Sequence, residues 1–293
     1  QKKKRSRAVL VIYKDHIIAE KYDTGFTKNS KILGWSMTKS ITATLFGILQ
    51  KQGKYDINKP APIPEWQKDE RKKITTNDLL HMNSGLEWEE AYDKICDATK
   101  MLFIAEDMGR VQLEKPAAFA PNTHWNYSSG TSNLLSYILR KQFKTHQEYL
   151  DFWYAQLIDR IGMHSMLIET DMVGNYVGSS YGWATARDWA KFGLLYLHKG
   201  NWNGDQVFDP SWENYVSTPT NDSKEGYGAH FWLNAGGHFP AAPRDMYSCN
   251  GYQGQKVFII PSLDLVIVRM GLSDEGKYDV NELLAGVIGS FKK

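Results

Sequence analysis

The chain has 293 residues, of which 42% are hydrophobic, 13% aromatic and 23% charged. That is enough apolar surface for one large domain, and the mixture excludes collagen, a coiled coil and a disordered chain. The formal charge is only +2, from 35 basic and 33 acidic residues, which excludes the strong basicity expected of a nucleic-acid binder. Five of the cations crowd into residues 1–7, read as a solvated leader, with contact to an anionic surface as the alternative.

No stretch approaches the roughly 18 to 20 apolar residues that a membrane helix needs, since the run at 257–268 is broken by Pro261 and Asp264. The chain opens on Gln1, so a signal peptide or lipid anchor ahead of it stays open. Cys96 and Cys249 lie far apart and lack the spacing of a zinc or redox motif. Two buried thiols are favoured over one disulfide.

In chain order, residues 8–13 and 17–22 read as a hairpin turning at Lys14-Asp15-His16. Residues 36–52 carry Met37, Ile41, Leu45, Ile48 and Leu49 at helical spacing and are apolar nearly all round, so they predict a buried helix ended by Gly53. A proline-rich loop at 60–71 precedes a short capped helix at 75–81 and the Asn83-Ser-Gly85 turn. Helical periods recur at 133–142, 147–161 and 187–198, with no strong strand signal from 70 to 200. Strands are predicted at 228–233, 246–249, 256–260 and 263–269, and a helix at 280–291. Strands at both ends with helices between predict an α+β fold: an antiparallel sheet built from both termini and flanked by helices. The whole of 1–293 reads as one domain, with a mainly helical subdomain inserted at about 60–200.

Three clusters carry candidate chemistry. Ser36-Met-Thr-Lys39 opens the buried helix, where free N–H groups and the positive dipole end favour developing negative charge on Ser36. Lys39 follows one turn later on the same face, where desolvation would lower its pKa and let it accept the Ser36 proton. The alternative is a capping serine and a snorkelling lysine. A second match, Ser290-Phe-Lys-Lys293, falls in a polar tail. Trp125-Asn-Tyr-Ser-Ser-Gly130 offers Tyr127 as a proton shuttle, or is only a helix-capping turn. Asn250-Gly-Tyr-Gln-Gly-Gln255 is a glycine-bracketed turn whose amides could complete an oxyanion hole with the amide of Ser36, or a plain hairpin turn. Trp35 and Trp125 flank these clusters and are candidates to line the pocket. Histidines lack metal-site spacing, with His230 and His238 read as structural, and phosphate-loop motifs are absent, so neither metal nor cofactor is implied.

These pieces, in this order, resemble the serine β-lactamase and penicillin-binding superfamily, with its Ser-x-x-Lys, Tyr-x-Asn and Lys-Thr-Gly signatures. The counterparts are Ser36 to Lys39, Tyr127-Ser-Ser129 and Tyr252-Gln-Gly254. Residues 34–40, 75–86, 181–193 and 251–255 resemble the class C-like serine hydrolases, which include esterases, D,D-peptidases and nylon-oligomer hydrolases. The resemblance implies a β-lactamase/transpeptidase-like fold and an amide or ester hydrolase working through an acyl-enzyme on Ser36, with Lys39 and Tyr127 moving protons. It implies the backbone amides of Ser36 and Gln255 as oxyanion donors, with Ser129, Tyr252, Gln253 and Gly254 meeting a small-molecule substrate. It also favours a periplasmic or secreted protein, and leaves the oligomeric state open.

Two departures matter. Ser129 stands where lactamases carry Asn, as in the nylon-oligomer branch. Tyr252 stands where they carry Lys, so the cation that meets a substrate carboxylate is missing there, which argues against efficient lactamase action and against the alternative of a D,D-peptidase. A noncatalytic scaffold of the same fold is the alternative from another class.

Overall fold

The computed structural model of the chain describes residues 5–273 and 278–291. Residues 1–4 of the cationic leader, and Lys292 and Lys293 of the second Ser-x-x-Lys match, lie outside the described residues. The chain runs through β1 (Ser6–Tyr13), β2 (His16–Tyr22), β3 (Ile32–Leu33), a 3-10 turn at Trp35–Met37, α1 (Thr38–Lys51), α2 (Thr76–Leu80), α3 (Asp97–Ile104), α4 (Met108–Leu113), α5 (Ser129–Arg140) and α6 (His146–Trp153). It continues through β4 (Leu167–Ile168), β5 (Gly182–Ala184), α7 (Ala186–Leu197), β6 (Asn201–Trp202), β7 (Asp205–Gln206) and α8 (Ser211–Ser217). It closes with β8 (Trp232–Leu233), β9 (Tyr247–Gly251), β10 (Gln255–Ile260), β11 (Leu265–Gly271) and α9 (Val280–Gly289).

Both ends of the chain enter one antiparallel sheet of order β2-β1-β11-β10-β9-β8. Alternation along β10 sends Val257 and Ile259 into the main core with α1 and α7, and Phe258 and Ile260 to the opposite face, against Leu284 and Ile288 of α9. The β11 strand between β1 and β10 is buried along its whole length, as its unbroken Leu-Val-Ile-Val run requires of a strand covered on both faces. Helix α1 is buried from Thr38 to Leu49 and forms the axis of that core.

Several expectations shift in detail. Ser36 lies in the 3-10 turn before α1 rather than in the first α-helical turn. Helix α5 begins four residues earlier than its apolar period, capped by Ser128, because Ser-Gly-Thr-Ser carries no hydrophobic signal. The strand expected at 228–233 shrinks to Trp232–Leu233, since Gly228 bonds to Phe231 and His230 takes φ +60 to reach buried partners. Nδ1 of His230 lies 2.6 Å from the Leu80 carbonyl and must donate, so Nε2 accepts from Ser132 at 2.9 Å. Burial holds this ring neutral, with its pKa pushed down to about 3, a structural histidine. The small sheet β3-β5-β4 carried no strand signal because its strands are only two or three residues long. Both cysteines are free and buried. Among the described residues no helix is long and apolar enough to cross a membrane.

Packing around α1 is tight enough to exclude a methyl group. A Cβ on Gly47 would sit 2.6 Å from the Trp212 indole on α8. Alanine at 47 gains about 1 kcal/mol of helix propensity, against an overpacking cost of about 1–3 kcal/mol. The steric cost wins: Gly47→Ala should lower the urea midpoint with an unchanged slope in equilibrium unfolding.

Candidate active site

Ser36 is carried on the turn entering α1, and its neighbours are glycines for a steric reason. A Cβ on Gly251 would lie 2.0 Å from the Gly34 carbonyl oxygen, so only glycine lets the end of β9 run against the Ser36 turn. Trp35 between Gly34 and Ser36 holds a left-handed φ of +49.

One turn on, Lys39 is 1% exposed. Its ammonium reaches Ser36 Oγ at 3.1 Å, Ser129 Oγ at 2.9 Å and the Ser179 carbonyl at 3.0 Å. Burial lowers its pKa to about 8, with the Glu90 carboxylate pulling the other way. Ser179 is itself fixed by Asn133 on α5, whose Oδ1 accepts the Ser179 N–H at 3.0 Å.

Tyr127 sits just before α5, its ring face 5.0 Å from Lys39 Nζ. Burial pushes its phenol pKa well above the usual range, and only a hydrogen bond with Ser36 opposes that. Tyr227 and Trp232 wall the ring at centroid distances of 5.8 and 5.3 Å.

Glu90 belongs to this group, and the sequence reading passed over it. Its Oε2 accepts the Ser129 N–H at 2.8 Å and its Oε1 the Ser129 hydroxyl at 2.5 Å. The Trp88 indole N–H and the Tyr92 phenol also donate to it. Trp88, Glu90 and Tyr92 alternate along an extended loop, so they share a side; that period-2 pattern was the available signal.

Two cavities meet at Ser36. The wide one, about 590 Å³, is lined by Tyr127, Trp232, Asn250, Gly251 and Lys256 among others. The narrow one, about 100 Å³, is lined by Trp35, Leu102, Phe103 and Ser180 among others. Tyr92 and Tyr252 line both and touch at 5.0 Å between ring centroids.

The structure thus brings Ser36, Lys39, Tyr127, Trp35 and Tyr252 together around one cleft. Other candidates stand elsewhere. Ser129 is 0% exposed and occupied by Lys39 and Glu90, so it lines neither cavity. Trp125 lies behind Tyr227 and Trp232 as packing support. The carbonyls of Gln253 and Gly254 turn to the Arg269 guanidinium at 3.2 and 2.8 Å. Gln255 is 1% exposed, its side chain pinned to both the N–H and the carbonyl of Gly271. Asn250, Gly251 and Tyr252 are the third-cluster residues that face the cleft. No group of metal-binding side chains forms among the described residues.

The beta-lactamase family profile matches residues 1–283. Comparison with curated proteins returns no match. Among solved structures, a protein provisionally described as a 6-aminohexanoate-dimer hydrolase from Bacillus anthracis superposes at a TM-score of 0.81 with 19% identity, over 98% of this chain and 79% of that one. A family VIII carboxylesterase gives 0.74 with 15% identity, over 97% and 91%. A D-stereospecific amidohydrolase from Streptomyces sp. gives 0.72 with 14% identity, over 96% and 93%. At such identities these structures establish a shared fold, that of hydrolases, and the profile match along nearly the whole length carries the assignment: this chain belongs to the beta-lactamase family.

Proposed function

We propose that the protein is a serine hydrolase that cleaves an amide or ester of a small molecule through an acyl-enzyme on Ser36. The observation that carries this reading is the hydrogen-bond arrangement of Lys39. A neutral lysine amine has two N–H donors and one lone pair. The Ser179 carbonyl can only accept, and the Ser129 hydroxyl, having given its proton to Glu90, accepts as well. Both N–H groups are therefore committed, and the lone pair is left facing Ser36 Oγ. Lys39 is the base in the resting enzyme, and Tyr127, held as a phenol, is the proton donor to the departing amine or alcohol.

In the first half-reaction Ser36 Oγ bonds to the carbonyl carbon as its proton passes to Lys39. The bond to the leaving group then breaks as that group takes a proton by way of Tyr127. Water, deprotonated by the same pair, releases the acyl group. The oxyanion takes the Ser36 amide as one donor. Its second donor is the backbone at the Gly251–Tyr252 corner, which lines the cleft, in place of Gln255, which does not.

Intact-protein mass spectrometry tests the nucleophile. A fluorophosphonate should add once to the wild type and not to Ser36→Ala, and a lasting penicillin adduct would instead favour a cell-wall peptidase. Absence of any fluorophosphonate adduct would leave a noncatalytic scaffold.

A base with a pKa of about 8 is neutral in roughly one molecule in ten at pH 7. With a neutral ester, kcat/KM should rise with pH up to about 8 and level off above it, because protonation below that value removes the base.

Glu90→Gln separates charge from positioning. Losing the carboxylate lowers the Lys39 pKa further, so an electrostatic role alone would make the variant faster at pH 7. A glutamine that no longer fixes the Ser129 proton should instead cost on the order of a hundredfold in kcat/KM on the pH plateau, while the rising limb moves to lower pH.

A further inference from the structure

The corner assigned above as the second oxyanion donor opens a turn whose shape is set from behind. Tyr252–Gly254 form a 3-10 turn between β9 and β10, with Gln253 at φ +60 and Gly254 at φ +83. Left-handed backbone is unfavourable for glutamine, so other contacts must select this form of the turn. Its three successive carbonyls are all taken, and by residues that line neither cavity. The Tyr252 carbonyl accepts from Gln255 Nε2 at 3.1 Å, that of Gln253 from Arg269 Nη1 at 3.2 Å and the Ser273 N–H at 3.0 Å, and that of Gly254 from Arg269 Nη1 at 2.8 Å. Arg269 is the contact common to the last two.

A cation is a costly choice for this place. Arg269 is 0% exposed, on a strand where its neighbours Val268 and Met270 are apolar and buried. Its direct partner on β10 is Lys256, so two cations face each other across the ladder. A guanidinium keeps its charge, and burying one is far less favourable than continuing the apolar run of β11.

The fold nevertheless builds a cradle for it. A Cβ would lie 2.2 Å from the guanidinium on Gly254 and 2.3 Å from it on Gly271. Nε donates to Ser6 Oγ at 3.1 Å and Nη2 to Ser273 Oγ at 2.5 Å, and the Tyr278 ring covers one face at 4.0 Å. Ser6 opens β1 while Ser273 and Tyr278 follow β11, so segments from both ends of the chain meet at this side chain.

We propose that Arg269 is a positioning residue for hydrolysis: by fixing the Gln253 and Gly254 carbonyls it holds the Gly251–Tyr252 corner with its backbone amide aimed at the oxyanion beside Ser36. The inference rests on the hydrolase reading and adds to it the part that sets the oxyanion site. The end of β9 already runs against the Ser36 turn at Gly34, so a displaced turn changes the gap between the two oxyanion donors, and hydrogen-bond catalysis is steep in that gap.

Phenyl acetate and phenyl thionoacetate, in which sulfur replaces the carbonyl oxygen, report on the gap. Sulfur is larger and a weaker acceptor, so a well-formed pair of N–H donors favours the oxygen ester and a disturbed pair discriminates less. Arg269→Met and Arg269→Lys should lower kcat for phenyl acetate by about tenfold or more with KM within about twofold, and shrink the oxygen-to-sulfur ratio of kcat/KM by about fivefold or more. Rates are taken per serine titrated by a fluorophosphonate, which removes any loss of folded protein. Gly271→Ala keeps the cation and pushes it out of its cradle; it should shift the ratio the same way, add nothing further to Arg269→Met, and decide the question if Arg269→Met does not fold.

Equal losses for both esters, with the ratio at its wild-type value, would make Arg269 a structural pin and overturn the proposal while the hydrolase stands. An undiminished kcat, or a wild-type ratio near one, overturns it as well. A wild type that turns over neither ester and takes no fluorophosphonate overturns the hydrolase and this inference together.

Discussion

Taking the Lys39 amine out of water is the constraint around which this molecule is arranged. An ammonium with a normal pKa is no base at neutral pH, and one that is buried without partners is too costly to hold. The chain resolves this by surrounding the amine with oxygen atoms from three places: the turn before α1, the start of α5 and the backbone at Ser179. Burial keeps the pKa low and the acceptors keep the side chain still beside Ser36.

Helix α5 does most of that holding. Its first residue, Ser129, meets the amine; its Asn133 fixes the Ser179 loop; its Ser132 anchors His230, whose carbonyl in turn accepts from Ser40 on α1. Tyr127 is two residues ahead of it, so the proposed acid and base are set by one rigid element packed on another. The sheet adds the third wall, and it can come close only because Gly251 has no side chain to strike the Gly34 carbonyl.

Much of this was legible from local pattern. The buried character of α1 followed from its apolar residues on every side, and Ser36 and Lys39 followed from their place at its start. The strands β1, β10 and β11 followed from short β-branched runs. What stayed hidden depends on contacts between distant segments. Glu90 lies in a loop with no helical period, 39 residues before its partner Ser129, and nothing local links the two. Lys256 read as one more residue of a strand, because which face of the sheet α9 leaves uncovered is decided by tertiary packing. The Tyr252-Gln-Gly254 motif aligned by composition, yet only its first residue faces the cleft, since the next two turn their carbonyls to Arg269.

The left-handed backbone at Trp35 bears on how such a protein can be improved. A bulky residue held there costs about 1–2 kcal/mol relative to glycine, and its ring, packed against Tyr181 and Tyr252, keeps it in place next to Ser36. Glycine at this position would relax the backbone and remove a wall of the narrow cavity in one step. Losing so large a ring costs about 3 kcal/mol or more, which exceeds the strain relieved, so packing holds in place a residue that its own backbone disfavours.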